Sequence, residues 1–468
     1  MLLIYENSKM PLYIQLYNQI KSDISNGILE PGTRLKSSRA VSMDLNISRN
    51  TVDLAYQSLF AEGFIKSKPR IGYFVDENCE LLNNCENDAD NDNTLMPGNN
   101  LIYDFRCEKL LTSELPCALW NKLINRCFDD YRGDMAEQKS VFGDAELRTE
   151  IRKVVYKYRN VNCVPEQIII TPDIQFSIEL ICRILKSLDT GPNVAMEEPG
   201  LYKSRDTFKR NGLNIRSMGM DQHGASANTI QRDVIAAYIT PSHQFPTGVV
   251  MSLPRRIEFA NWAKRKGAYI IEDDCNCFFH HFTRPLPSVN SLAADKVFYI
   301  GGFSDLLFPC LSVSYLVVPE KFLDILHSWY DGRVPFVSFL MQKPLELFIK
   351  DGHLESHLRK MKKLQRVKCE TLVNTLNNKF GETIRIIGFN SGLHLLVQAK
   401  WPIDEDELIR SAHQAGVGVY PTSNYWSGPK TDHEATVLLN YGGISVQDIP
   451  PAVDLLYKTW RGNRSGSI

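Results

Sequence analysis

PLYIQLYNQIKSDISNGILEPGTRLKSSRAVSMDLNISRNTVDLAYQSLFAEGFIKSKPRIGYFV, residues 11–75, holds three helical periods followed by two short apolar runs. Tyr13, Leu16, Tyr17, Ile20 and Ile24 recur at the spacing of one helix face, and Gly27 stands where a C-cap would end it. Pro31-Gly32 makes a turn, after which Ser37 or Ser38 can cap a second helix through Val41 and Leu45. Asn46-Ile47-Ser48 reads as a tight turn into a third helix capped by Ser48. That helix has Val52, Ala55, Tyr56 and Leu59 inward and Gly63 at its end. The segment 64–75, FIKSKPRIGYFV, sets apolar runs on both sides of a Lys-Pro-Arg-Ile-Gly tip, the pattern of a β-hairpin. Three helices and a hairpin in this order predict a winged helix-turn-helix.

Working outward, residues 76–104 (DENCELLNNCENDADNDNTLMPGNNLIYD) are rich in Asn and Asp and contain no Lys or Arg. A polar stretch of self-repelling charge cannot offset its ordering entropy, so it reads as a flexible acidic linker. The predicted organisation is a head over 1–76, a linker over 77–104 and a body over 105–468, with a small subdomain from about 336 to 468. A chain of 468 residues exceeds one hydrophobic core, and 43% hydrophobic with 23% charged residues is ordinary globular material. No apolar run approaches the roughly 20 residues that span a bilayer. The start MLLIYENSKM lacks the charged, apolar and small-residue regions of a signal peptide, so the expected location is the cytoplasm. Eleven cysteines scattered from Cys79 to Cys369 without framework spacing suit reduced thiols. A net charge of −1 announces no nucleic-acid partner, so any such contact must come from a local motif.

The body alternates strand-like runs with helical stretches, which predicts an α/β sheet covered by helices. The strand-like runs are Gln167–Thr171, Val194–Met196, Ala236–Thr240, Ala268–Ile271, Lys296–Ile300 and Ser312–Val318. There is no internal repeat.

Residues 11–75 closely resemble the GntR DNA-binding domain over its full length. FGDAELRTEI at 142–151, QIIIT at 167–171, EEPG at 197–200, ITPSHQFPTG at 239–248, IIEDD at 270–274 and GVGVYP at 416–421 resemble the MocR regulators in the right order. The resemblance implies an α/β protein: a winged helix-turn-helix followed by a fold-type I aminotransferase-like domain with a mostly parallel sheet and a smaller α/β C-terminal subdomain. It further implies a homodimer that binds double-stranded DNA and regulates transcription. Arg39 and Arg49 take the family's DNA-contacting arginine positions. Ser48, Arg49, Asn50 and Thr51 open the third helix, where side chains reach base edges and free amides meet phosphate. Lys66, Lys68 and Arg70 lie on or beside the wing.

YIGGFSDLLFPCLSVSY, residues 299–315, resembles the segment that carries the pyridoxal phosphate lysine in that fold, with Asp305 in the lysine's place. A carboxylate has no nucleophilic nitrogen and forms no internal aldimine. By the same resemblance the phosphate-binding arginine is Ser312, and the glycine of the phosphate turn is Asp173. Asp273 stands where an acid would protonate the pyridine nitrogen. The tyrosine that bonds the ring hydroxyl is Cys275, and the stacking aromatic is Leu201 with Tyr202 one residue away. Lys296 and Lys321 fall outside the segment, and ATVLLNYGGIS at 435–445 offers no arginine for a substrate carboxylate.

The expectation is therefore no cofactor, no catalytic residue and no aminotransferase activity. The alternative is a pyridoxal phosphate-dependent aminotransferase or a regulator that responds to that cofactor. If Asp173, Asp273, Asp274 and Asp305 approach one cleft, they suit an amine-bearing or cationic effector. Otherwise they bond amides or helix N-termini and bind nothing. CNCFFHHF at 275–282 holds Cys275, Cys277, His280 and His281 but not a standard zinc spacing, so no metal is expected. His243 reads as a structural hydrogen-bonding residue.

Overall fold

The computed structural model describes residues 11–25, 28–68, 71–76, 101–107, 109–137, 139–188, 191–275, 277–428 and 435–462. Contacts divide it into two units, one on each side of Asn99 and Asn100. The first contains α1 (Leu12–Ser25), α2 (Ser38–Leu45), α3 (Arg49–Ala61) and an antiparallel hairpin of β1 (Ile65–Lys68) and β2 (Gly72–Val75). Leu16, Ile20, Ile24, Val41, Val52, Ala55, Tyr56 and Leu59 close its core with Phe64, Ile65 and Val75. Of the two serines that could cap α2, Ser37 does so, accepting the Ala40 N–H at 3.2 Å. Asn46, at φ 52°, ends that helix in the left-handed conformation its short polar side chain tolerates. The hairpin is the predicted wing, although Gly27 and Arg70 lie outside the described residues.

The second unit starts inside the stretch assigned to the linker. Tyr103–Asp104 forms a strand, β3, parallel to Val417–Gly418, while residues 77–100 lie outside the described chain. The physical reason is local: Leu101, Ile102 and Tyr103 end the polar composition. Phe105 is fully buried, and the Phe105 N–H donates to the Gly418 carbonyl at 3.0 Å.

Seven strands form the main sheet: β4 (Ile168–Thr171), β5 (Asn193–Glu197), β6 (Asn214–Met218), β7 (Ala236–Ile239), β8 (Tyr269–Asp273), β9 (Val297–Gly302) and β10 (Ser314–Val317). Their spatial order is β4-β10-β9-β8-β7-β5-β6. Only β10 runs antiparallel to its neighbours. Parallel strands are covered on both faces, which explains the near-continuous apolar runs that marked them in the sequence. β6 was not foreseen: NIRSM lies at the sheet edge and carries Asn, Arg and Ser. A four-stranded antiparallel sheet of Ile384–Ile387, His394–Ala399, Thr436–Asn440 and Tyr420–Pro421 makes the small subdomain, which also holds the helices His353–Phe380 and Ile449–Gly462. Among the described residues no helix is long and apolar enough to cross a membrane.

Candidate functional site

On the head, the Ser48 hydroxyl accepts the Thr51 N–H at 3.1 Å and lies 2.8 Å from the Thr51 hydroxyl, fixing the first turn of α3. Arg49 and Asn50 follow it into solvent, as Arg39 does from α2. Arg49 Nε is 3.7 Å from Asp53 Oδ2, an exposed pair one turn apart that costs little to open. On the wing, Lys66 is half-buried, and Lys68 Nζ lies 4.6 Å from the Phe74 ring centre. Arg34 was missed by the sequence reading: its guanidinium donates to the Ile71 carbonyl at 2.5 Å and ties the wing tip to the strand-like bridge at Phe74.

In the body, the C-terminal ends of β7, β8 and β9 bring a second set of groups together. Tyr238 donates its hydroxyl to Asp273 Oδ2 at 2.5 Å and lies 3.1 Å from Ser204 Oγ, while the Cys275 N–H reaches Asp273 Oδ1 at 3.3 Å. Burial raises the Asp273 carboxyl and pushes the Tyr238 hydroxyl far up. Burial also pushes up the Cys275 thiol, with Asp273 and then Asp305 adding to it through their charge. Asp305 is half-buried in the turn after β9, where the Leu306 and Leu307 N–H groups both return to the Phe303 carbonyl. Seven residues on, Ser312 is exposed at φ 52°.

Asp274 does not share a cleft with Asp273. Asp173 is the N-cap of the helix Ile174–Lys186, accepting the Phe176 N–H at 2.7 Å. Asp274 follows Asp273 directly, and side chains along a strand alternate between faces, so it turns the opposite way. Its Oδ2 accepts from Arg159 Nε at 2.5 Å and from the Tyr299 hydroxyl at 2.8 Å. Arg159 also donates to the Leu286 carbonyl and Ser242 Oγ, so Asp274 belongs to a sealed structural pair and not to the expected effector pocket.

Residues 12–75 match the family described as bacterial regulatory proteins, gntR family. The chain is 34% identical over 467 residues to the uncharacterized HTH-type transcriptional regulator YdeL of Bacillus subtilis, covering 97% of both chains. It is 26% identical over 473 residues to the probable rhizopine catabolism regulatory protein MocR of Rhizobium meliloti, covering 97% of this chain and 95% of that one. The chain belongs to the MocR subfamily of GntR transcriptional regulators. The fold of this MocR-type chain is also similar to LysN, an α-aminoadipate aminotransferase from Thermus thermophilus, with a TM-score of 0.67 and 22% identity. That likeness covers 78% of this chain and 92% of the other and concerns the fold alone.

The other positions of the MocR-type body fall as follows. Lys296 Nζ lies 5.3 Å from the Tyr269 ring centre, and Lys321 Nζ bonds the Tyr269 hydroxyl. Tyr269 opens β8 and Asp273 ends it about 13 Å further along the strand, so both lysines contact β8 at the end opposite to Asp273. Leu201 is half-buried, and Tyr202 places its ring 5.7 Å from Tyr425 of the small subdomain. The Tyr425 carbonyl accepts the Gly200 N–H at 2.9 Å, so the EEPG loop is docked to that subdomain. His243 is buried, with Nδ1 3.0 Å from Ser391 Oγ and Nε2 3.1 Å from His394 Nδ1, the structural role its sequence position implied. In CNCFFHHF, Cys277 and His281 are buried, and His281 Nε2 lies 2.8 Å from the Gly392 carbonyl. Among the described residues no three His, Cys, Asp or Glu side chains converge as a metal would require.

Proposed function

We propose that this regulator acts on DNA as a homodimer whose body catalyses no transamination and forms no covalent adduct with pyridoxal phosphate. The observation that carries this reading is Asp305 in the turn after β9, a carboxylate where an aldimine needs an amine. Two further features support it. The Asp173 carboxylate already takes the Phe176 N–H at the start of its helix, where an anionic ligand would look for free amides. Ser312 supplies no positive charge, so a dianionic phosphate would face like charge at a few kcal/mol per close pair. These residues do not fit pyridoxal phosphate, and no step of the protein's action is routed through it.

The body then serves as shape and as a dimerisation surface. An effector entering beside Cys275 would meet Asp273 and Asp305 and so be cationic or amine-bearing.

The test is to incubate full-length protein with pyridoxal phosphate and record its spectrum before and after borohydride. The expected result is no protein-linked band above about 400 nm. A band that borohydride fixes to the chain would overturn the reading of the body. Light scattering on the same sample should give a dimer, and a monomer would remove the dimerisation role.

A further inference from the structure

Helix α3 buries Val52, Ala55, Tyr56 and Leu59 in the head core, so its other face is left to solvent. At 3.6 residues per turn, Leu54 falls on that other face, one turn beyond Asn50 and one turn before Gln57 and Ser58. Asn50 and Gln57 are exposed, and Leu54 is 50% exposed between them. A large aliphatic side chain at the centre of a polar helix face contributes nothing to the core behind it. In a winged helix-turn-helix this face enters the major groove. The distinctive apolar feature of base edges there is the 5-methyl group of thymine.

We propose that Leu54 is a specificity-determining residue that packs against a thymine methyl group, one helical turn along the groove from the base met by Asn50. The inference rests on α3 being the recognition helix and goes beyond it by naming the base and the atoms read. It also explains why a leucine is kept in water in the free protein: the exposed surface is covered only when DNA is bound.

Full-length protein would first select sites from a randomised duplex library. The selected site is then remade with each thymine in turn replaced by deoxyuridine, which deletes one methyl and leaves every hydrogen-bonding group in place. One replacement should weaken wild-type binding about fourfold, the loss for one buried methyl. Leu54→Ala should bind the thymine and uracil forms of that position equally well. The proposal is overturned if wild type is indifferent to every replacement, or if Leu54→Ala keeps the same uracil-sensitive position. Should Arg49→Ala leave affinity for the selected site unchanged, the recognition-helix reading falls, and Leu54 with it. That outcome is separate from the other two.

Discussion

Arg159 Nε and Asp274 Oδ2 are 2.5 Å apart, with 2% and 0% of their side chains exposed. This pair joins the end of the helix Ala145–Arg159 to the residue just after β8, and through Ser242 and Leu286 to two loops. It is the reason two adjacent aspartates have unrelated duties. Removing the cation alone leaves an uncompensated buried carboxylate, so Arg159→Leu should cost about 3–5 kcal/mol, read as a lowered urea midpoint. The double variant Arg159→Leu, Asp274→Leu should recover part of that loss. An unchanged midpoint in the single variant would contradict the account.

Glu197, at the end of β5, accepts from the Thr240 N–H and hydroxyl in a fully buried site, and burial raises its carboxyl from the ordinary 4.5 to about 7. The folded chain then holds a proton that the unfolded chain has released between these values. Stability from this group is therefore present below pH 4.5 and lost as pH rises through 7. Glu197→Gln removes that loss, so its melting temperature relative to wild type should climb between about pH 5 and pH 8, by up to about 3 kcal/mol in stability. A difference that stays flat with pH would refute the assignment.

Asp305→Lys returns an amine to the turn after β9 but leaves Asp173 at the helix start and Ser312 in place. The variant should bind pyridoxal phosphate weakly and show no stable band above about 400 nm. A persistent aldimine in this single variant would mean that the phosphate side of the site is better than Asp173 and Ser312 indicate.

Arg49→Ala deletes the exposed guanidinium at the start of α3 and should weaken specific DNA binding by about 1–3 kcal/mol while the dimer persists. Fluorescence anisotropy at fixed salt measures the first and light scattering the second. Lys68→Ala, on the wing, should instead lower affinity across sequences and flatten the salt dependence.

The head was legible because each of its elements is half-buried: the 3.6-residue period of α1 and α3 separates Leu16, Ile20, Val52 and Leu59 from their polar neighbours. The main sheet was legible as apolar runs but not as faces. IIEDD comes from a strand covered on both sides, so no alternation marks which way each aspartate points. Arg159 was invisible for another reason, since its partner lies 115 residues away and a helix-terminal arginine in sequence looks like a solvated charge. Tyr238 reads as an apolar strand residue until Asp273 appears across from it. At β6, edge position allowed the polar residues that hid the strand.

The Asp173 cap has a consequence for stability. A helix whose first turn already carries its own carboxylate reaches its finished state with no dissolved anion bound there. Stabilisation by mass action needs a ligand that prefers the folded chain, and at this helix start the Asp173 carboxylate already accepts the Phe176 N–H that an anion would compete for. On the function proposed above, added pyridoxal phosphate should therefore leave the melting temperature of this chain where it was.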